Sequence, residues 1–404
     1  MILRQLKQIG RMNWLMTCAV LALVIIGIFF IYSACYANTS PRMQLMYQKQ
    51  ITWAIVGMVC YFGFALTDYR SLRKFAWAGY IMCLILLVLV LIVGEEVNSA
   101  TRSLKVFGIR VQPSELAKLG VILLLARRLS LPSVNLGSFK SVMSVLIPVA
   151  IPTLLIIKEP DLGTALVLLP VTLIMMFGAG VPYRALGVLF GIGLACVATV
   201  MSCLFLPMKL GASEATQVKF IKLTGLSLYQ QNRIAVFLGV KADPYKAGWN
   251  KRQSIIAVGS GGLRGKGFLE GTQNILGFLP PNVAPTDFIF SVIAEEMGFM
   301  GSATVLFLFG LVCACGLRAG IVAADKMGRL MCIGIVGLIL CHAFINIAMT
   351  VGLMPITGLP LPLLSYGGSF TIVVLSALGI VQSVYIHSRQ PRVEFEQGGL
   401  WRMG

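Results

Sequence analysis

The sequence predicts an all-α membrane protein, a polytopic bundle of about ten transmembrane helices with a large extracytoplasmic loop before helix eight. Three observations carry that reading. Of the 404 residues, 57% are hydrophobic and only 12% charged, with a mean hydropathy of +0.87. Several apolar runs reach the ~20 residues that cross ~30 Å of hydrocarbon. These runs are continuously apolar rather than alternating, which excludes a membrane β-barrel. The chain reads as a single integral membrane domain over 1–404, with 207–286 as the extracytoplasmic loop within it.

The first spanning segment, 14–36, follows Arg4, Lys7 and Arg11. It is too long for the apolar core of a cleaved signal peptide and reads as a retained helix. Further segments follow at 51–66, 75–94, 114–128, 142–158, 162–180 and 184–206, then at 287–316, 330–354 and 370–387. Charge bias orients them. With the N-terminus inside, the inner connections hold Arg70, Arg73 and Lys74, then Arg127, Arg128 and Lys140, Arg184, and Arg318, Lys326 and Arg329. The C-terminal tail adds Arg389, Arg392 and Arg402. An even number of spans with both termini cytoplasmic satisfies the positive-inside rule. The outer 95–113 connection, with Arg102, Lys105 and Arg110, fits it least. The 207–286 segment carries ten Lys or Arg against Glu214, Asp243 and Glu270. Its middle, YQQNRIAVFL (229–238), has the pattern of an amphipathic interfacial helix.

The net charge of +18 belongs to inner loops and anionic lipid headgroups rather than to nucleic acid. The ten cysteines lie in or beside apolar segments and read as small buried hydrophobes. With two histidines and no CxxC spacing, no metal centre is expected from protein ligands.

Ionisable groups inside a membrane are costly, so each asks for a reason. The fourth segment opens Gln112-Pro113-Ser114-Glu115, a helix start in which Glu115 suits the positive end and Lys118, three residues on, can pair with it. The pair is either a structural ion pair or a cation placed to meet a phosphate. Asp161 stands where the sixth segment begins and can cap it; a contact between Lys118 and Asp161 is a further expectation. Asp287 follows Pro280, Pro281 and Pro285, and Pro285 places the eighth helix start at about Thr286 or Asp287. Asp287 is either a helix cap or a catalytic base. Glu295 and Glu296 are expected about 12–14 Å deeper at ~1.5 Å per residue, paired within the bundle. The run GSGGLRGKG (259–267) has glycines that bring backbone N–H groups near an anion, with Arg264 and Lys266 adding charge. It lacks the full phosphate-loop pattern. The uncharged GLMPITGLPLPLLSYGGS (352–369) reads as a re-entrant or inter-helix turn.

Six strings carry a resemblance: QPSELAKL (112–119), PDLGTAL (160–166), YQQNRIAVFL (229–238), GSGGLRGKG with GTQ (259–267, 271–273), TDFIF with AEEMG (286–290, 294–298) and INIAMTVGLMPITGLPLPLLSYGGS (345–369). Over nearly its whole length the chain resembles the SEDS family (shape, elongation, division and sporulation), in its RodA-type branch. The resemblance implies a peptidoglycan glycosyltransferase that polymerises lipid II during cell elongation in the bacterial inner membrane. It further implies a class B penicillin-binding protein as partner, Asp287 as catalytic residue, and Glu115, Lys118 and Asp161 in the functional cavity. The expected reaction is inverting. Asp287 takes the acceptor hydroxyl proton, and Lys118, Arg102 and Arg264, with Lys266, meet the pyrophosphate. A carboxylate facing pyrophosphate could recruit Mg²⁺ or Mn²⁺. The chain departs from the family pattern at Pro285 (usually His), Ser103 (usually Trp) and Glu159 (usually Gln). A lipid II flippase and a non-catalytic scaffold for a penicillin-binding protein are the alternatives.

Overall fold

The computed structural model describes residues 8–36, 40–97, 100–106, 109–159, 161–209, 228–239 and 247–388. The charges placed above at Arg4, Lys7, Glu214, Asp243, Arg389, Arg392 and Arg402 lie outside them.

Long helices occupy the predicted segments. They are α1 Trp14–Tyr36, α2 Met46–Leu66, α3 Leu72–Val93, α4 Pro113–Leu129, α5 Phe139–Lys158, α6 Leu162–Ala179 and α7 Tyr183–Lys209. Two shorter helices follow, α8 Leu228–Phe237 and α9 Ala247–Ser260, and then α10 Ile289–Ile321, α11 Lys326–Thr350 and α12 Gly368–His387. Among the described residues eight helices are long and apolar enough to cross a membrane; the apolar stretch of α6 is shorter. At 17 residues, α4 is shortened by its own chemistry, since Glu115, Lys118, Arg127 and Arg128 all lie on it. Between α3 and α4 the expected loop is instead a small antiparallel meander of β1 Glu95–Val97, β2 Ala100–Val106 and β3 Ile109–Val111. The register pairs Leu104 with Val111 and Lys105 with Arg110, which fixes Arg102 over the start of α4.

The bundle centres on α11 and α12, the spans most buried in the fold. Without water to drive them together, membrane helices associate by close packing. Thus α12 lies along α2 where glycines permit it: a Cβ on Gly379 would sit 2.4 Å from the Tyr61 carbonyl oxygen, and one on Gly57 would sit 2.5 Å from Leu375 Cδ1. Gln382 Nε2 donates to Tyr61 Oη (2.9 Å), Thr17 Oγ1 (3.0 Å) and the Asn13 carbonyl (2.8 Å). These bonds hold the start of α1 and the end of α12 at one end of the bundle. By contrast α7 stands aside, with no buried residue in its most apolar stretch.

At the other end two irregular segments penetrate the bundle. Residues 352–367 turn back into it, and the backbone of Leu363 and Leu364 packs against Gly27, where a Cβ would lie 2.7 Å from the Leu363 carbonyl oxygen. Gly27 is nine residues from the end of α1, roughly 14 Å down, so the turn is re-entrant. Its polar backbone is satisfied internally, as a membrane requires: Leu361 N–H donates to Ser365 Oγ, and Gln50 receives Gly367 N–H and donates to the Ser365 carbonyl.

The second is the break in α10 at Gly298, whose φ of 64° and ψ of −157° need a glycine. The break orphans backbone groups, and the glycine-rich loop takes them up. Lys266 and Gly267 N–H donate to the Glu295 and Glu296 carbonyls (3.0 Å each), while Phe299 and Met300 N–H donate to the Gly262 and Leu263 carbonyls (2.8 and 3.1 Å). The loop therefore splints a broken helix. Lys266 Nζ is held by Glu295 Oε1 at 2.6 Å, and Arg264 is exposed. Glu296 accepts from Ser33 Oγ, in the last turn of α1. Both glutamates are buried and paired, Glu296 with α1 and Glu295 with the loop.

Candidate active site

Asp287 lies in a wound turn that precedes α10. Val283 and Ala284 N–H donate to the Pro280 carbonyl, and Asp287 and Phe288 N–H donate to that of Val283. The helix starts at Ile289, and Phe288 occupies the cap position with no side-chain cap bond. The expected start at Thr286 or Asp287 is corrected accordingly. Three successive carbonyls of the turn are held from elsewhere: Pro285 O by Tyr366 N–H (2.9 Å), Thr286 O by Ser365 Oγ, and Asp287 O by Asn346 Nδ2 (2.9 Å). Pro285 lends its carbonyl to the re-entrant turn and lacks only an N–H.

With its backbone fixed and its carboxylate not used as a cap, Asp287 faces a cavity of about 270 Å³. The walls carry Arg102, Arg110 and Arg233 together with Glu115, Asp161 and Asp287, and Ser103, Gln112 and Gly358 also line it. Gly358 separates two key groups: a Cβ there would lie 3.5 Å from Asp287 Oδ2 and 3.4 Å from Arg233 Nη1. Arg233 Nη1 itself donates to the Ile356 carbonyl at 2.9 Å. Burial raises the Asp287 carboxyl above its ordinary range, Arg233, the Thr286 side chain and Arg102 pull it down, and Asp161 adds to the rise.

Asp161 caps α6 as expected. Oδ1 accepts from Thr164 N–H (3.2 Å), and Oδ2 accepts from Thr164 Oγ1 (2.8 Å), Gln112 Nε2 (3.0 Å) and Ser114 Oγ (3.3 Å). The expected Lys118–Asp161 contact is replaced by a different arrangement. Lys118 Nζ lies 2.9 and 2.8 Å from the two oxygens of Glu115 and 2.7 Å from His342 Nε2. The sequence pair Glu115–Lys118 forms, but only Glu115 lines the cavity; Lys118 is fully buried behind it. Of the residues singled out in the sequence, Asp287, Arg102, Asp161 and Glu115 meet here. Arg264 and Lys266 do not, because the loop that carries them is committed to α10. Arg233, Arg110, Asn346 and His342 were missed. Arg233 had one signal, as the single charge in YQQNRIAVFL. No cluster of three His, Cys, Asp or Glu occurs among the described residues. In the cavity, Glu115 is paired with Lys118 and Asp161 accepts four hydrogen bonds.

Glu159 lies just behind Asp161, fully buried, with no hydrogen-bond partner for either oxygen among the described residues. Burial pushes its carboxyl up to about 8, Asp161 pushes the same way, and Arg102 opposes them. The folded protein therefore holds this proton where the unfolded chain, near 4.5, has lost it. Stability must fall as pH rises between those two values. Glu159→Gln should flatten the fall: in detergent, the variant's Tm should exceed that of the parent chain at pH 9 by more than at pH 6.

The family model for cell cycle proteins of the FtsW, RodA and SpoVE type matches residues 13–390. The peptidoglycan glycosyltransferase RodA of Treponema pallidum (strain Nichols) is 34% identical over 94% of this chain and 99% of its own. The peptidoglycan glycosyltransferase MrdB of Escherichia coli (strain K12) is 36% identical over 91% of this chain and 93% of its own. Among solved structures, a chain described under structural coordination of polymerization and crosslinking by a peptidoglycan synthase complex superposes with a TM-score of 0.74. It is 28% identical and covers 94% of this chain and 99% of that chain. The rod shape determining protein RodA of Thermus thermophilus gives 0.66 at 27% identity, over 94% and 98%.

Proposed function

The chain belongs to the FtsW, RodA and SpoVE family of cell cycle proteins, and from that premise we propose that it is a peptidoglycan glycosyltransferase polymerising lipid II, with Asp287 as general base. One observation supports the role of Asp287 above the rest: its half-buried carboxylate, free of capping duty, opens on a cavity that holds three arginines. The acceptor GlcNAc 4-hydroxyl gives its proton to Asp287 as its oxygen bonds to the anomeric carbon of the donor MurNAc. The bond from that carbon to the pyrophosphate oxygen breaks with inversion, and undecaprenyl pyrophosphate leaves with the electron pair. Arg233, Arg102 and Arg110 are placed to meet the charge that grows on it, which is where preorganised cations act most strongly. A pyrophosphate leaving group needs no second carboxylic acid to protonate it, unlike the sugar oxygen in glycosidases.

The protein is multi-pass. We place it in the bacterial inner membrane with both termini cytoplasmic and the cavity outside, since the positive-inside rule assigns the Arg-rich connections to the cytoplasm. The relative solved as a synthase complex supports a crosslinking penicillin-binding protein as partner, and the RodA and MrdB relatives support a role in elongation. The test is purified protein with that partner and labelled lipid II in detergent, where sidedness vanishes. Glycan chains are expected. Absence of polymer together with scrambling of lipid II in vesicles would favour transport instead.

A further inference from the structure

Lys118 has three ammonium hydrogens, and the structure uses them all. Two point at Glu115 Oε1 and Oε2 (2.9 and 2.8 Å) and the third at His342 Nε2 (2.7 Å). All three residues are buried. A lysine offers donors only, so Nε2 must be the acceptor and the ring proton must sit on Nδ1. That nitrogen faces the carbonyl of Pro360, a cavity-lining residue, at 3.4 Å. The Phe370 ring lies against the imidazole, with centroids 5.2 Å apart, and its own centroid is 5.8 Å from Lys118 Nζ. One turn further along α11, Asn346 Nδ2 donates to the Leu359 carbonyl (2.7 Å) and to that of Asp287 (2.9 Å). A single helix face thus ties the Glu115 wall, the 359–360 wall and the Asp287 turn together.

We propose that His342 is a positioning residue for the transfer reaction. By accepting the third hydrogen of Lys118 it keeps that ammonium on Glu115, behind the cavity wall, and its opposite nitrogen steadies Pro360. Without it, a buried ammonium loses a partner and is left to turn toward the cavity, where it would draw Glu115 with it. This rests on the glycosyltransferase reading, and its test separates the two.

The chain has two histidines, so ¹⁵N-histidine labelling gives two imidazole signals, and His387→Gln assigns them. His342 should show an unprotonated Nε2 and a protonated Nδ1 unchanged from pH 6 to 8, and Lys118→Met should abolish that pattern. The same signal with and without Lys118 would overturn the proposal. This readout needs no turnover, so failure of the parent chain to polymerise lipid II would count against the glycosyltransferase reading alone. In the assay, His342→Gln, which keeps an acceptor and a donor, should stay within about threefold of the parent kcat. His342→Leu should lose about 10- to 100-fold with KM little changed, the usual scale for a hydrogen bond to a charge. Equal losses for Gln and Leu would mean that the ring only fills space. If the leucine variant does not fold, the glutamine variant and the imidazole signals still decide.

Discussion

Asp287→Asn should lower lipid II polymerisation by about 10²- to 10⁴-fold, the range lost when a positioned general base is removed. The amide keeps the size of the side chain, but it cannot take a proton. Folding should survive. The local backbone is held by Val283, Asn346 and Ser365 through main-chain groups, and the carboxylate caps nothing. Removing a carboxylate that burial already disfavours should leave Tm equal or higher. Initial rates and a thermal melt on the same preparation check both halves. Undiminished polymer would end the general-base assignment. Loss of rate together with a large fall in Tm would mean that Asp287 is structural.

The second large effect is expected at Gly298. Gly298→Ala puts a methyl 2.3 Å from Gly265 N, in a backbone conformation that side chains rarely adopt. Strain of this kind costs roughly 1–3 kcal/mol for the dihedrals alone, and overpacking adds a similar amount. The splint and the half-helix must part, which disturbs the upper half of α10 that follows the Asp287 turn, and activity falls with stability. Gly310→Ala is the matched control. It lies in the same helix with nothing within 4 Å of the added methyl, and it should melt and turn over like the parent chain. Equal behaviour of the two variants would show that the break at Gly298 is not needed.

The spans were legible because hydropathy and helix length are local. So were the start of α4 at Pro113, the cap at Asp161 and the Glu115–Lys118 pair, since each depends on residues within four positions. The cavity was less so. Arg233 reaches Asp287 across 54 positions and His342 reaches Lys118 across 224, and nothing in the intervening sequence carries that proximity. Arg264 and Lys266 stand apart from the cavity for a specific reason. Glycines beside cations suit an anion, yet the same glycines also let backbone approach backbone, and here they admit the carbonyls of Ala294 and Glu296. The break at Gly298 hides because a glycine in an apolar helix is common. The 95–113 connection gave its charges but not its pairing, which depends on register across a turn.

The interruption at Gly298 also bears on how the protein meets lipids. An unbroken helix of 33 residues would be roughly 50 Å long, against ~30 Å of hydrocarbon. Such a mismatch would have to be taken up by tilt, and tilt would swing any group at its tip. Because the helix is divided, only Phe299–Ile321, roughly 34 Å, has to match the acyl chains. The short upper piece takes its level from Ser254, which bonds Ser291 and the Thr350 carbonyl, and from Asn346. The length that has to match the acyl chains is thereby separated from the level at which the Asp287 turn is held.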